Sequence, residues 1–470
     1  LDPILREKAG IGGWQIVSRG EAYGKLEVVQ SLQSLQGKVF KEKTIVVADT
    51  VSGEEEPPPG VTGIITSRPI DLVSHVAVRA RNAPVLFAIC YEAAILERLK
   101  SLAGKQVYLE ARPSGTVEFR ESQKGERTGP SNAGGESTPL SIAKPELTRE
   151  PITREEFREG LVGGKAQQLR ALQDRLPDWV HVPASAALPF GVFEATLEAP
   201  ANKDVLAEYK KLRARADKDA EQALPALRKA LLKLEPAEGL AGKLSATLTR
   251  AGISAPPESD WEKVWHAIKQ VWASKWNDRA FFSRRARSIS HEEIHMAVLI
   301  QELVPVDYAF VLHTADPFTG SDRDLYGELV NGLGETLVSN YPGTALSFRS
   351  PKKQPKPKVL AYSSKSLALA GKGWIFRSDS NAEDLSGYAG AGLYESIVVP
   401  PPETVRLRYA QDRLMTDAAF CESLLKRITE LGSAVESAFD GVPQDIEGGY
   451  VNERFHVVQS RPQVGTTPAP

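Results

Sequence analysis

The chain has 470 residues, 41% hydrophobic and 25% charged. That is enough for two or three domains with cores of their own, and it excludes a disordered or fibrous polymer. A formal net charge of −2 gives no footprint for a nucleic-acid partner and accommodates a neutral substrate. No apolar run is long enough to span a bilayer.

Residues 1–120 alternate short apolar runs with Gly and Pro. Trp14–Val17, Val39–Val47, Gly63–Ile65, Val85–Ile89, Gln106–Leu109 and Thr116–Phe119 read as strands, many of them rich in Val and Ile. Helical pattern covers Val76–Arg81 and Ala93–Leu102. This predicts one small β/α domain. Ser74 stands where an N-cap belongs, so His75 would sit at the positive end of a helix, where backbone N–H groups favour an anion. Arg79 and Arg81, one turn on, would add charge. Imidazole is a competent nucleophile near neutral pH. From local chemistry alone, a phosphoryl carrier and a surface histidine near a helix start are equal readings of His75.

Residues 121–151 are dominated by Ser, Gly, Pro, Glu and Lys, the composition of a flexible linker. At roughly 30 residues it would span about 30 Å by random-coil scaling. An ordered surface loop is the other reading. Residues 152–470 mix helices and strands. Gly163-Gly164-Lys165 opens a helix, Val182–Phe193 reads as strand and turn, and Lys203–Leu234 is a charged helix-former. Asp260–Arg279 is amphipathic, and its Trp261, Trp265, Trp272 and Trp276 fall at the spacing of a buried helix face rather than a sugar-stacking strip. Met296–Leu303, Tyr308–His313, Asp324–Val330 and Ile375–Arg377 are predicted strands. Gln444–Glu447 and Phe455–Pro462 form a predicted hairpin.

His291-Glu-Glu-Ile-His295 satisfies the H-E-x-x-H zinc pattern. It runs directly into a predicted strand, so the metal helix would be cut short. Ser290 with Glu293 reads as a capping box, which accounts for the acids without a metal. Zinc hydrolysis is therefore rejected. Cys90 and Cys421 make neither a disulfide framework nor a zinc-ribbon spacing. The chain begins at Leu1 with no methionine, signal or transit peptide, which reads as a fragment or processed product.

A nucleotide site needs cations and backbone donors for phosphates, and oxygen ligands for Mg²⁺. Lys165 at its Gly-rich helix start and Arg377 at a strand end, ahead of the loop that carries Glu383, Asp384 and Gly387–Gly392, are candidates for phosphate. Asn331-Gly-Leu-Gly334-Glu335 offers a turn with a carboxylate. Glu447 and Gln459 on neighbouring hairpin strands would share one Mg²⁺, with Arg461 near. Each taken singly is equally a surface lysine, a salt-bridged arginine or a solvated acid.

Asp71-Leu-Val-Ser-His75-Val-Ala-Val-Arg-Ala-Arg-Asn82 resembles the phosphohistidine signature of the α-glucan, water dikinases, the starch-phosphorylating relatives of pyruvate phosphate dikinase and phosphoenolpyruvate synthase. Trp272–Ala280, Leu325–Gly343 and Arg377–Ser396 also resemble that family, and Val46–Thr50 resembles the strand that precedes its carrier loop. Together these cover nearly all of the chain outside the linker.

The resemblance implies an α/β multidomain protein: a small swivelling phosphohistidine domain (1–120), the linker (121–151), and an ATP-grasp-like nucleotide domain (152–470). It implies His75 as phosphate carrier, Lys165, Arg377 and Arg461 as ATP-phosphate ligands, Glu447 and Gln459 as Mg²⁺ ligands, and Glu335 and Asp445 as weaker nucleotide-site members. ATP and Mg²⁺ are the implied cofactors, starch-like α-glucan the implied partner, and the plastid the implied location. The implied reaction sends the β-phosphoryl of ATP to His75 and then to a glucosyl hydroxyl, with C6 favoured. The γ-phosphate goes to water, and AMP is released. A phosphoglucan, water dikinase and a non-catalytic glucan-associated scaffold are the alternatives. Oligomeric state has no signal in the sequence. The histidine precedes Arg377 here, and the chain stops soon after Gln459-Ser-Arg-Pro462, unlike the pyruvate enzymes. One departure concerns a Cys-Phe-Ala-Thr-Cys stretch of plant members: here it reads Leu86-Phe-Ala-Ile-Cys90, so a disulfide within that motif cannot form.

Overall fold

The computed structural model describes residues 12–53, 55–83, 85–112, 115–122, 142, 144–339, 341–383 and 392–463, the side chain of Ala286 excepted. The chain divides into two compact units, residues 1–139 with 337–344, and residues 140–336 with 345–470.

The first unit is built on a seven-stranded sheet. Its strands are β1 (Trp14–Ser18), β2 (Glu21–Ser31), β3 (Thr44–Thr50), β4 (Val61–Thr66), β5 (Leu86–Cys90), β6 (Gln106–Ala111) and β7 (Val117–Glu121), in the order β1-β5-β4-β3-β2-β6-β7. The central strands β2, β3, β4 and β5 run parallel and the outer pairings are antiparallel. Helix α1 (His75–Asn82) joins β4 to β5, and α2 (Ala93–Lys100) follows β5.

The parallel strands are near-continuous apolar runs because both faces are covered. Val46, Ile64, Phe87 and Ile89 pack with Val76, Ala77 and Ala80 of α1. The alternate residues Ile45, Val47, Ile65, Leu86, Ala88 and Cys90 pack with Leu96 and Leu99 of α2. Strand period 2 thus sends one side chain in two to each helix. The predicted strand Val39–Val47 begins only at Thr44, because Val39 is 70% exposed and has no sheet to cover it.

Most of the predicted linker, residues 123–141 and 143, lies outside the described residues. From residue 144 the chain is laid against the second unit: the Glu146 N–H donates to the Gly160 carbonyl (2.8 Å) and the Thr148 N–H to the Phe190 carbonyl (2.9 Å).

The second unit carries two larger sheets. One holds β8 (Ile152–Thr153), β10 (Ser185–Leu188), β11 (Met296–Leu303), β17 (Gly373–Ser380) and β18 (Ser396–Val399), in the order β18-β17-β11-β10-β8. The other holds β9 (Val180–His181), β12 (Tyr308–His313), β13 (Asp324–Asn331), β14 (Leu346–Pro351), β15 (Lys358–Ala361), β20 (Gln444–Val451) and β21 (Arg454–Pro462). Its order is β15-β14-β13-β12-β20-β21-β9. Strands β16 (Leu367–Ala370) and β19 (Glu403–Arg406) pair separately.

Helix α3 (Gly164–Leu172) lies between β8 and β9, and α4 (Val192–Leu197) follows β10. Helices α5 (Lys203–Ala216), α6 (Ala220–Leu231), α7 (Leu240–Arg250), α8 (Trp261–Ala273) and α9 (Asp278–Ala286) form a helical layer on the first sheet. The long helix α10 (Ala418–Ala438) packs on the second sheet. The single helix expected over Lys203–Leu234 is two, broken at Asp217–Asp219. Trp265, Trp272 and Trp276 are buried in the helical core, as their spacing predicts.

His291–His295 forms no helix. The expected capping box is absent too: the Ser290 hydroxyl accepts the Glu292 N–H (3.3 Å) in a turn. The two rings part company. His291 Nδ1 accepts a hydrogen bond from Arg284 Nε (3.0 Å), while His295 Nδ1 meets Glu194 Oε1 (2.8 Å).

Candidate functional site

In the first unit His75 is the first residue of α1, reached by the loop from the carboxyl end of the parallel strand β4. That end of a parallel sheet is where ligands bind in open α/β folds. His75 is half-buried. Ser74 is at the N-cap position, but its buried hydroxyl makes no capping bond and has no partner among the described residues. One amide of the first turn is also committed: Val76 N–H donates to the Gly53 carbonyl (2.8 Å).

Arg79 and Arg81, expected to add charge beside His75, both make contacts to neighbouring backbone. Arg79 is 3% exposed, donates to the Glu55 carbonyl (3.1 Å) and pairs with Glu56 (3.5 Å). Arg81 donates to the carbonyls of Leu72 (2.8 Å) and Val17 (3.4 Å). Both lie in the last helical turn, where cations suit the dipole, and both tie loops to the helix.

In the second unit two sheets meet at Arg377. It lies on β17, and the period of that strand places Arg377 and Asp379 on one face. Across from it, β20 and β21 set Glu447 opposite Gln459 and Asp445 opposite Arg461. One Arg377 nitrogen, Nη2, reaches both Glu447 Oε2 (3.2 Å) and Gln459 Oε1, while Nη1 donates to the Val458 carbonyl (3.0 Å).

A β-bulge makes this possible. Glu447 pairs with Gln459, but the next residue, Gly448, pairs with Val457, so Val458 is an extra residue in the ladder. Phe455 and Val457 face the α10 side with Ile446. Strict alternation would send Gln459 and Arg461 the same way; the bulge turns them to the face of Glu447.

Beside this cluster, Arg461 grips Asp445 through Nε and Nη2, both on Oδ2 (2.9 and 2.6 Å), with the two side chains almost fully buried. Such a fork is among the stronger charge-assisted contacts.

Lys165 and its helix form a second cluster. Asp379 accepts the backbone N–H groups of Gly163 (2.9 Å), Lys165 (3.0 Å) and Ala166 (3.4 Å), so a carboxylate caps the start of α3. Gly163 is required there, because a Cβ would come within 2.5 Å of the Ser380 carbonyl. Burial pushes Asp379 up to about 7, with Lys165 pulling it down and Glu383 pushing it further up. The Lys165 ammonium, 6% exposed, donates to the Ser378 carbonyl (3.0 Å) and to Glu383 Oε1. Glu335, exposed at the start of the short helix Glu335–Val338, is a member of neither cluster.

The structure thus brings Arg377, Glu447 and Gln459 together, sets Asp445 with Arg461 two residues along the same hairpin, and places Lys165 beside Glu383. Sequence reading assigned no role to Asp379, Glu383 or the Val458 carbonyl. Asp379 was legible in principle, two residues after Arg377 in a strand; the other two were not. Asp384 and residues 385–391 lie outside the described residues.

Glu447 and Gln459 present hard oxygens side by side around a cationic group, a donor set that suits Mg²⁺. Among the described residues, no group of three His, Cys, Asp or Glu side chains could hold a metal by itself. Mg²⁺ usually takes one or two protein oxygens and completes its shell with phosphates and water, so the two fit together.

Comparison with known proteins agrees with this division. Residues 13–128 match the family described as alpha-glucan water dikinase, phosphohistidine-like domain, and residues 258–469 match pyruvate phosphate dikinase, AMP/ATP-binding domain. Across 99% of its length the chain is 42% identical to the alpha-glucan water dikinase, chloroplastic, of Citrus reticulata. It is also 42% identical to alpha-glucan water dikinase 1, chloroplastic, of Arabidopsis thaliana, again over 99%. The chain belongs to the alpha-glucan water dikinase family.

It covers 32% and 34% of the length of those two relatives. The alpha-glucan water dikinase 2 of Arabidopsis thaliana is 40% identical over 99% of the chain, which covers 36% of it. His75 falls in the first matched segment, and Glu335, Arg377, Asp445, Glu447, Gln459 and Arg461 in the second. Lys165 precedes the second segment.

Proposed function

We propose that this chain is the phosphoryl-transferring part of an α-glucan, water dikinase of the plastid. The reading rests above all on the convergence of Arg377, Glu447 and Gln459, a phosphate-and-metal cluster with no nucleophile of its own, in a chain that offers His75 in its other unit. Arg377, Arg461 and Lys165 neutralise the ATP phosphates. Glu447 and Gln459 would hold the Mg²⁺, which would supply charge neutralisation and polarisation of those phosphates. Catalysis is then mostly positioning and charge neutralisation.

A nitrogen of the His75 imidazole attacks the β-phosphorus, and the bond to the α-phosphate bridge breaks, releasing AMP. Water attacks the γ-phosphorus, its bond to the oxygen that bridges it to the β-phosphorus breaks, and the γ-phosphate leaves as inorganic phosphate. In the second half-reaction a glucosyl hydroxyl attacks the phosphohistidine. It loses its proton to solvent or a base, the P–N bond breaks, and a phosphate ester remains on glucan, with C6 the favoured position. The carrier domain serves both sites. The relatives' names supply the glucan acceptor and the plastid.

Parallel incubations with β-labelled and γ-labelled ATP test the reading. The β-label should appear on the protein in acid-labile form, be absent in His75→Ala, and pass to soluble α-glucan as ester phosphate. Retention of the γ-label, or normal labelling of His75→Ala, would overturn it in favour of a single-phosphoryl kinase or a non-catalytic scaffold. Transfer only to already phosphorylated glucan would move the assignment to a phosphoglucan, water dikinase.

A further inference from the structure

The second unit has a cleft of about 640 Å³ that takes no part in the nucleotide cluster. It lies on the other face of the same sheet. Along β20, Glu447 points to Arg377, whereas Ile446 and Tyr450 belong to the α10 side. Tyr308, Phe420 and Tyr450 gather there, with ring centroids 6.0–6.4 Å apart.

Polar groups meet these rings. The Tyr308 hydroxyl donates to Asp412 Oδ1 (2.9 Å), and Asn331 Nδ2 donates to Asp412 Oδ2 (3.0 Å). The amide oxygen of Asn331 is buried with no partner among the described residues, so an acceptor in the cleft lining is left open. A buried unsatisfied acceptor is costly, and it is expected to gain a donor from water or ligand. The Asn452–Glu453 turn, with both residues at positive φ (49° and 62°), forms the rim together with Gln411.

The charge of the lining chooses among ligands. Arg406, Arg408 and Arg413 are balanced by Asp307, Asp412 and Glu453. A phosphate or nucleic-acid site would carry an excess of cations. An apolar ligand would meet too many planar polar groups. Aromatic surface rimmed by carboxylate, amide and guanidinium groups suits a neutral molecule with many hydroxyls, each both donor and acceptor, and with apolar C–H faces between them.

We propose that this cleft binds a segment of neutral α-glucan chain and holds it on the unit that carries the nucleotide cluster, on the face turned away from that cluster. The inference rests on the glucan reading above. Glucan held here leaves the ATP face uncovered, so nucleotide and polysaccharide bind without excluding each other.

The test uses the whole chain, titrated calorimetrically with maltoheptaose, as wild type and as the double variant Gln411→Ala/Glu453→Ala. Both substituted residues are exposed, so loss of folding is not expected. Arg408→Ala, also exposed, is a second variant. The expected result is that wild type binds and that both variants bind at least fivefold more weakly. Self-labelling of His75 from ATP, which needs no glucan, serves as the fold control. No binding by wild type, or unchanged affinity in variants that label normally, overturns the proposal. Failure of His75 to label in wild type would sink the dikinase reading instead, so the two failures are distinguishable.

Discussion

Glu447 and Gln459 stand directly opposite each other in the hairpin and offer oxygens to the same guanidinium nitrogen. Glu447→Gln keeps that shape and removes the charge. Charge-assisted hydrogen bonds contribute about 1.5–3 kcal/mol, or roughly 10–100-fold in an equilibrium. We expect Glu447→Gln or Gln459→Ala to raise the Mg·ATP concentration for half-maximal self-labelling by about tenfold or more. The fold should persist, because Arg377 keeps its bond to the Val458 carbonyl. Unchanged dependence in both variants would remove these residues from the metal site. Their placement on neighbouring strands of one hairpin was legible in the sequence. The commitments of Lys165 to Glu383 and of Asp379 to the start of α3 did not show there, because they join residues more than 200 positions apart.

Among the elements, the turn between α9 and β11 carries a pH dependence. His291 stacks on Phe281 (4.4 Å between centroids, 14° between planes) and accepts from Arg284. Burial first, then the Arg284 charge, lowers the ring to about 4 from an ordinary 6.5. Between those values the unfolded chain binds a proton that the folded chain does not, so stability falls as pH drops from about 6.5 to 4. Thermal unfolding at pH 7 and pH 5 should show a larger loss in wild type than in His291→Gln, whose amide can still accept from Arg284. Equal losses would place the acid sensitivity elsewhere.

Elements whose periodicity was strong were legible: the buried parallel strands, the hairpin and the tryptophan face of α8. Boundaries were not, as at Val39, an exposed β-branched residue set off from β3 by Phe40-Lys-Glu-Lys43, and at Asp217, where an otherwise helical pattern turns a corner. The Ser290 capping-box reading failed because its pattern suits a turn leading into a strand as well as a helix start.

For the whole molecule, the two cysteines belong to different units and both are buried. Cys90 faces the α2 side of the first sheet, away from α1, and burial raises its thiol to about 11. The thiolate is the reactive species, so this sulfur is a poor partner for exchange. We expect turnover with and without dithiothreitol to agree, in wild type and in Cys90→Ser. A large reductant effect abolished by Cys90→Ser would be the contrary result. The division into two units was legible through the composition of 121–151 and the motif order.

The bulge at Val458 also bears on how kindred chains should be compared. Upstream of it the hairpin keeps one parity and downstream the other, so even and odd positions exchange meaning at a single residue. An alignment that closes a gap there would still match the apolar residues Phe455 and Val457. It would nevertheless equate a residue aimed at Arg377 with one aimed into the helix-covered interior. In this strand, homology of position has to be established by counting residues from both ends toward Val458.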